Sequence, residues 1–355
     1  MTTDRMARVR EIMAAEQLDG LLLTSLPTLR YLCGFSGTDG VLFLSSEEVV
    51  FLTDSRYQTQ ARQQVQADRI VCYRKKNEAI GELLAELEAT RIGFEAEQVS
   101  VAQAEAWRGL SRTVSWIALE QQLRPLRCRK SREELALLQQ AASLNREAFA
   151  AVLPGIAAGV AERDIALELE IALKRRGGEI NAFDFIVASG VRGALPHGVA
   201  SDKIIRDGEL VTIDFGTRVE GYHSDETVTL AVGQVDRKLR QIHDIVLEAH
   251  DAAIAAVRPG LAIAELDAVA RDYIAAQGYA DYFGHGLGHG VGLEVHEYPA
   301  LNPRSEDCLA EGMVITIEPG IYLPDVGGVR IEDMVVVTAS GCELLTSIPK
   351  ALCQQ

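Results

Sequence analysis

Val211-Thr212-Ile213-Asp214-Phe215-Gly216 returns in altered form as Ile315-Thr316-Ile317-Glu318-Pro319-Gly320, 104 residues further on. Each stretch reads as a strand that is apolar except for a threonine and one acid. Each is followed, past a glycine-containing turn, by a second acid-bearing strand. These are Ser224-Asp225-Glu226-Thr227-Val228-Thr229-Leu230 and Arg330-Ile331-Glu332-Asp333-Met334-Val335-Val336. The repeat is too long for a solenoid unit. It predicts two similar hairpins facing each other across a pseudo-twofold axis. Side chains alternate faces along a strand. Thr212 and Asp214 therefore share a face, as do Asp225, Thr227 and Thr229, then Thr316 and Glu318, then Arg330, Glu332 and Met334.

Four carboxylates thus project from strands that otherwise look like core. Buried acids must be paired or bound to metal. At ~4 Å and an effective dielectric near 20, each like-charged pair costs about 4 kcal/mol. Two divalent cations would cancel the four charges. A nitrogen ligand is available in Gly284-His285-Gly286-Leu287-Gly288-His289-Gly290-Val291-Gly292-Leu293-Glu294-Val295-His296-Glu297, where glycine fills every even position from 284 to 292. That spacing disfavours a regular helix and lets backbone approach another group closely. Three of the seven histidines lie in this segment. The H-E-x-x-H signature is absent, and four acids with one imidazole favour harder, higher-coordinate ions over tetrahedral zinc.

Outward from this centre, the chain has 355 residues, which suggests two domains. Leu18–Thr24, a hairpin Val41–Leu44 with Val49–Leu52, Arg69–Tyr73, Arg91–Phe94 and Thr113–Leu119 read as strands between helical stretches. The fold class is therefore α/β (α+β), with a smaller N-terminal α/β domain over residues 1–122. Gly34–Gly40 is glycine-rich but precedes a strand, so it fails the dinucleotide test. Five basic residues cluster within 121–132 of an otherwise acidic chain, and 123–132 reads as a linker. Ser131 with Glu134 forms a capping-box signature, opening a helix over Glu133–Leu153 and the C-terminal domain, 133–355. Further helices are predicted over Ala161–Arg176, Arg237–Val257 and Ile263–Gln277.

Net charge is −16 with pI near 5.0, which argues against nucleic-acid partners because a polyanion is repelled. No apolar run reaches the ~20 residues of a membrane-spanning helix, and the charged N-terminus lacks a signal-peptide core. A cytoplasmic location is expected. The six cysteines are scattered without a CxxC pair and read as reduced, structural thiols.

Asp214 in VTIDFG, Asp225 in GYHSDETVT, His289 in GHGLGHGVGLEVHE, Glu318 in ITIEPGIY and Glu332 in GVRIEDM together resemble the five-ligand set of the pita-bread dinuclear metallopeptidases. The resemblance covers residues 133–355 in order and spacing. The N-terminal domain is similar to the extra domain of the proline-specific branch, aminopeptidase P and prolidase, which methionine aminopeptidases usually lack. The resemblance implies a C-terminal pita-bread (creatinase/aminopeptidase-like) catalytic domain and two divalent ions, Mn2+ or Co2+, with Zn2+ also allowed. Asp214 would chelate one ion, His289 would bind the other, Asp225 and Glu332 would bridge them, and Glu318 would be both ligand and proton shuttle. Ions ~3.5–4 Å apart acidify a shared water and polarise the scissile carbonyl. A nearby acid would protonate the proline nitrogen, which leaves poorly otherwise.

By the same resemblance, His296 would serve the scissile carbonyl oxygen, and His197 and His285 would position substrate and stabilise the transition state. Arg330 would orient Glu332 or bind substrate. His223 reads as structural. Phe183, Phe185 and Ile186 could wall a proline pocket or pack the core. Some dipeptide-cleaving relatives carry an arginine near Ala300; here His296-Glu297-Tyr298-Pro299-Ala300 lacks it. Either Arg192 or Arg330 substitutes, or longer peptides are accepted, which slightly favours an aminopeptidase. The expected activity is metal-dependent hydrolysis of the N-terminal Xaa-Pro bond in short proline-containing peptides by a homodimer, with the N-terminal domain restricting peptide length. Two competing readings use the same fold. A metal-free creatinase-like hydrolase is disfavoured by the intact five-ligand set, and a non-catalytic binding module by the retention of His197 and His296 beside it.

Overall fold

The computed structural model describes residues 3–355. The chain divides into two compact units, Met1–Arg127 and Cys128–Gln355. The first is built on a six-stranded sheet of order β4-β3-β2-β1-β5-β6. Its strands are β1 (Gly20–Leu23), β2 (Val41–Ser45), β3 (Val49–Asp54), β4 (Arg69–Tyr73), β5 (Arg91–Glu95) and β6 (Ser115–Leu119). Its helices are α1 (Thr3–Ala15), α2 (Leu26–Cys33), α3 (Gln58–Gln64), α4 (Lys76–Glu86) and α5 (Val101–Arg108). The β1–β2–β3 run is antiparallel, whereas β4, β5 and β6 join in parallel. Both faces of β1 and β2 are buried, which explains why they read as unbroken apolar runs. Each predicted strand of this unit is present.

The second unit opens with α6 (Arg132–Val152). Its capping box is complete: Glu134 N donates to Ser131 Oγ (3.3 Å), and Ser131 N donates to Glu134 Oε2 (2.8 Å). The other helices are α7 (Glu162–Arg175), α8 (Arg237–Ala256) and α9 (Ile263–Ala276). One sheet has the order β11-β8-β7, formed by β7 (Ile186–Ser189), β8 (Glu209–Phe215) and β11 (Glu226–Val232); β9 (Arg218–Val219) and β10 (Tyr222–His223) form a small ribbon. Another sheet has the order β13-β12-β14-β17-β18, from β12 (Gly288–Gly290), β13 (Glu297–Leu301), β14 (Val314–Ile317), β17 (Asp333–Val337) and β18 (Cys342–Leu344); β15 (Gly320–Leu323) pairs with β16 (Gly327–Arg330).

The first predicted hairpin forms as expected, with β8 and β11 antiparallel and Asp214 opposite Thr227. The second differs. Its two strands break at Glu318-Pro319 and at Ile331-Glu332, and each half joins a different sheet. Proline cannot donate a ladder hydrogen bond, so pairing stops there and the acids sit at strand breaks instead of mid-strand. The two halves meet where Glu332 N donates to Thr227 O at 3.2 Å. Apolar faces of the sheets pack against the helices in two clusters, one around Phe149, Leu169 and Phe215, the other around Val246, Leu266 and Ile315.

Candidate metal centre

Asp214, Asp225, His289, Glu318 and Glu332 border one cavity of about 410 Å³ in the second unit, together with His197, His285, His296, Arg330 and Phe183. Each acid lies at a strand end. Asp214 stands one residue before β8 ends, Asp225 one before β11 begins, Glu318 one past β14 and Glu332 one before β17. His289 reaches the cavity from β12, squeezed between β13 and β14. A Cβ at Gly288 would strike Thr316 O, and one at Gly290 would strike Tyr298 O. The alternating glycines therefore serve close backbone approach, and His289 N donates to Thr316 Oγ1 at 3.0 Å. Arg271 of α9 secures the same segment, donating to Phe283 O (2.9 Å) and His285 O (2.7 Å) while held by the buried Asp267.

Ligand atoms of Asp225, His289 and Glu332 lie within 4.8 Å of one another. His289 Nε2 is 3.6 Å from Asp225 Oδ2 and 3.4 Å from Glu318 Oε1. Asp214 Oδ2 accepts from Arg330 Nη2 at 2.6 Å, while its Oδ1 is buried with no hydrogen-bond partner. Thr227 Oγ1 donates to Glu332 Oε2 at 2.6 Å.

Electrostatics show what this arrangement fits. Burial, then the neighbouring carboxylates, push Asp225 and Glu332 well above the usual acid range. Burial lifts Glu318 to about 8, against the pull of Arg330. Burial lowers His289 to about 3, so its ring is neutral at physiological pH, and its Nδ1 lies 3.1 Å from Gly290 O. That contact suits Nδ1–H and leaves the Nε2 lone pair facing the acids. Four carboxylates beside one guanidinium, an orphaned carboxylate oxygen and a neutral imidazole fit divalent cations. Without such ions Asp225, Glu318 and Glu332 tend to hold protons.

The remaining predicted residues divide by environment. His296 lies edge-to-face on His289 with ring centres 4.2 Å apart, and burial lowers its pKa. His285 is brought to about 4 by burial, and its Nε2 meets Tyr322 OH at 2.9 Å. His197 is exposed at the rim of the cavity, on a loop that Arg330 holds by donating to Pro196 O at 2.9 Å. Phe183 and Ile186 line the cavity, but Phe185 does not: it is buried against Phe215 in the core, which removes it from the proline wall. Arg192 is committed elsewhere, to the buried Glu162 and to Val199 O, and so is Arg330. His223 is buried with Nδ1 3.2 Å from Gly292 O, outside the cavity lining. Sequence reasoning put Thr227 and Thr316 on the acids' faces without giving them a role, and it missed Tyr322 and the Asp267–Arg271 pair. Only the last had a visible signal, an acid and an arginine four apart on a predicted helix.

Known proteins share this architecture. Residues 136–339 match the model of metallopeptidase family M24, and residues 5–129 match the creatinase/prolidase N-terminal domain. The chain is 38% identical to the Xaa-Pro dipeptidase of Pyrococcus furiosus, covering 98% of this chain and 99% of that one. Among solved structures, the Xaa-Pro dipeptidase from Bacillus anthracis matches with a TM-score of 0.96 and 40% identity over 99% of both chains. The X-Pro aminopeptidase from Thermotoga maritima matches at 0.90 with 34% identity, over 98% of this chain and all of that one. The strand-end acids and the glycine-flanked histidine lie inside the matched region, and the protein is thereby a member of metallopeptidase family M24 with a creatinase/prolidase-type N-terminal domain.

Proposed function

We propose that this chain hydrolyses the bond between an N-terminal residue and a following proline in short peptides. Divalent cations, Mn2+ or Co2+, would be held by Asp214, Asp225, His289, Glu318 and Glu332. The observation that carries this reading is the convergence of Asp225, His289 and Glu332 within 4.8 Å, beside Asp214 and Glu318, in a cavity rimmed by three further histidines. The relatives named as Xaa-Pro dipeptidases and X-Pro aminopeptidase support the substrate class. No match among these relatives supports a metal-free hydrolase or a binding module.

Bound cations supply Lewis acidity, lowering the pKa of water and polarising a carbonyl. The protein's own groups do the rest. Thr227 and Arg330 hold the Glu332 and Asp214 carboxylates in fixed rotamers. Glu318, on the cavity wall beside His289, would take a proton at Oε1 or Oε2 and return it to the proline nitrogen as the bond breaks. His296 donates toward the carbonyl oxygen, where negative charge develops. His197 and His285 approach from the rim and the wall. Phe183, Ile186, Pro196 and Val199 give the pyrrolidine ring an apolar seat. Because Arg192 and Arg330 are both engaged, neither clamps a carboxylate after proline. Xaa-Pro-Xaa peptides are therefore cleaved alongside Xaa-Pro dipeptides.

Assaying metal-loaded protein on Xaa-Pro, Xaa-Pro-Xaa and Xaa-Ala peptides tests the reading. Release of the first residue from both proline peptides, with Xaa-Ala poor, is the expected result; no cleavage of either proline peptide with Mn2+ or Co2+ overturns it. A cytoplasmic homodimer completes the proposal on the strength of the family resemblance, and light scattering checks the dimer. Among the described residues, no helix is long and apolar enough to cross a membrane.

A further inference from the structure

Each of the two acids assigned to bridging is followed directly by a second acid, and in extended chain the next residue points to the opposite face. Glu226 and Asp333 accordingly leave the cavity lining and turn behind it, with side chains 0% and 6% exposed. Two buried carboxylates on adjoining strands would repel, and would do so at the seam where Thr227 and Glu332 join the two halves. Lys350, near the C-terminus and 7% exposed, sits between them. Its Nζ donates to Glu226 Oε1 at 2.7 Å and lies 3.2 Å from Asp333 Oδ1. The same segment adds Ile348 N to Glu226 Oε1 (3.0 Å) and Thr346 Oγ1 to Asp333 Oδ1 (2.6 Å). It then runs beside β11, with Ala231 N donating to Cys353 O. On its other side Asp333 Oδ2 lies 3.2 Å from His250 Nε2.

We propose that Lys350 is a positioning residue for the metal centre: its ammonium draws Glu226 and Asp333 together and so sets the spacing of Asp225 and Glu332 on the opposite face. The inference rests on the reading of those two acids as metal ligands. Outer partners of this kind typically carry 10–100-fold in metal affinity.

Calorimetric titration of chelator-stripped protein with Mn2+ tests it, with circular dichroism and gel filtration as checks of folding. Lys350→Met is expected to bind Mn2+ about 10–100-fold more weakly than wild type. Its kcat should recover when Mn2+ is raised in proportion, with KM for peptide unchanged, a pattern that a general loss of stability would not produce. A folded Lys350→Met that binds Mn2+ as tightly as wild type overturns the proposal, whatever its thermal midpoint. Should Lys350→Met fail to fold, Glu226→Gln carries the test. It keeps the shape, removes the charge that Lys350 grips, and must weaken Mn2+ binding; undiminished affinity there overturns the proposal equally. Wild-type protein that binds no Mn2+ would instead overturn the metal reading itself.

Discussion

Replacing Asp225 by asparagine should stabilise the protein without metal and destabilise it, relative to wild type, with metal. Ligand atoms of Asp225 and Glu332 lie within 4.8 Å, and at an effective dielectric near 20 that separation costs about 3 kcal/mol when both are charged. The metal-free site avoids this by keeping protons on acids that burial has raised. A carboxylate whose folded pKa exceeds its unfolded value binds protons that the unfolded chain has already released, so stability falls as pH rises. The effect is absent below the ordinary carboxylate range and accumulates from there through the Glu318 value of about 8. Asp225→Asn removes one charge from this set. At pH 8 with chelator it should gain about 2 kcal/mol, or roughly 5 °C in midpoint for a unit of this size. At pH 4 the gain should vanish. Saturating Mn2+ reverses the order, because wild type gains about 2.7 kcal/mol per cation at a hundredfold excess over Kd, whereas the variant has lost a ligand. Differential scanning fluorimetry at both pH values, with and without Mn2+, reads all four states. An Asp225→Asn protein less stable than wild type in chelator at pH 8, or one that gains as much from Mn2+, would refute the reasoning. Turnover by the variant should be abolished.

His296→Ala should cut kcat by about 10²-fold or more while leaving Mn2+ content near that of wild type; loss of metal would make His296 a ligand and undo its assigned role. Because burial holds His289 near 3, Mn2+ affinity should show no break near pH 6.5 and should rise toward pH 8 as the acids release protons, which titration at several pH values checks. Chelator should inactivate reversibly, with Mn2+ or Co2+ restoring turnover better than Zn2+; restoration by Zn2+ alone would reject the metal preference. Arg192→Ala removes a charged partner from buried Glu162 and a donor from Val199 O. It should cost about 2 kcal/mol in urea unfolding and lower kcat/KM by loosening the His197 loop.

Much of the fold was legible because its signals are local. β1 to β6 announced themselves as short apolar runs, α6 by Ser131 with Glu134, and β8 with β11 by alternation. What escaped was the break in the second hairpin. Glu318-Pro319 and Ile331-Glu332 continue an unbroken strand-like pattern, and only pairing partners far along the chain decide which sheet each half joins. Phe185 was ambiguous for a related reason. It and Ile186 are both apolar neighbours of the His197 loop, and nothing local says that one faces the cavity and the other Phe215.

The order and spacing of five metal-type residues, the apolar strands that present them and the glycines that let His289 approach Thr316 all belong to the linear chain, because periodicity and steric size are properties of neighbouring residues. Which groups hold those residues in place belongs to the folded molecule alone. Arg330 on Asp214, Thr227 on Glu332, Tyr322 on His285 and Lys350 behind the seam join residues 37 to 124 positions apart. Charge-assisted hydrogen bonds act over about 3 Å, and no pattern in sequence records a distance that only packing creates.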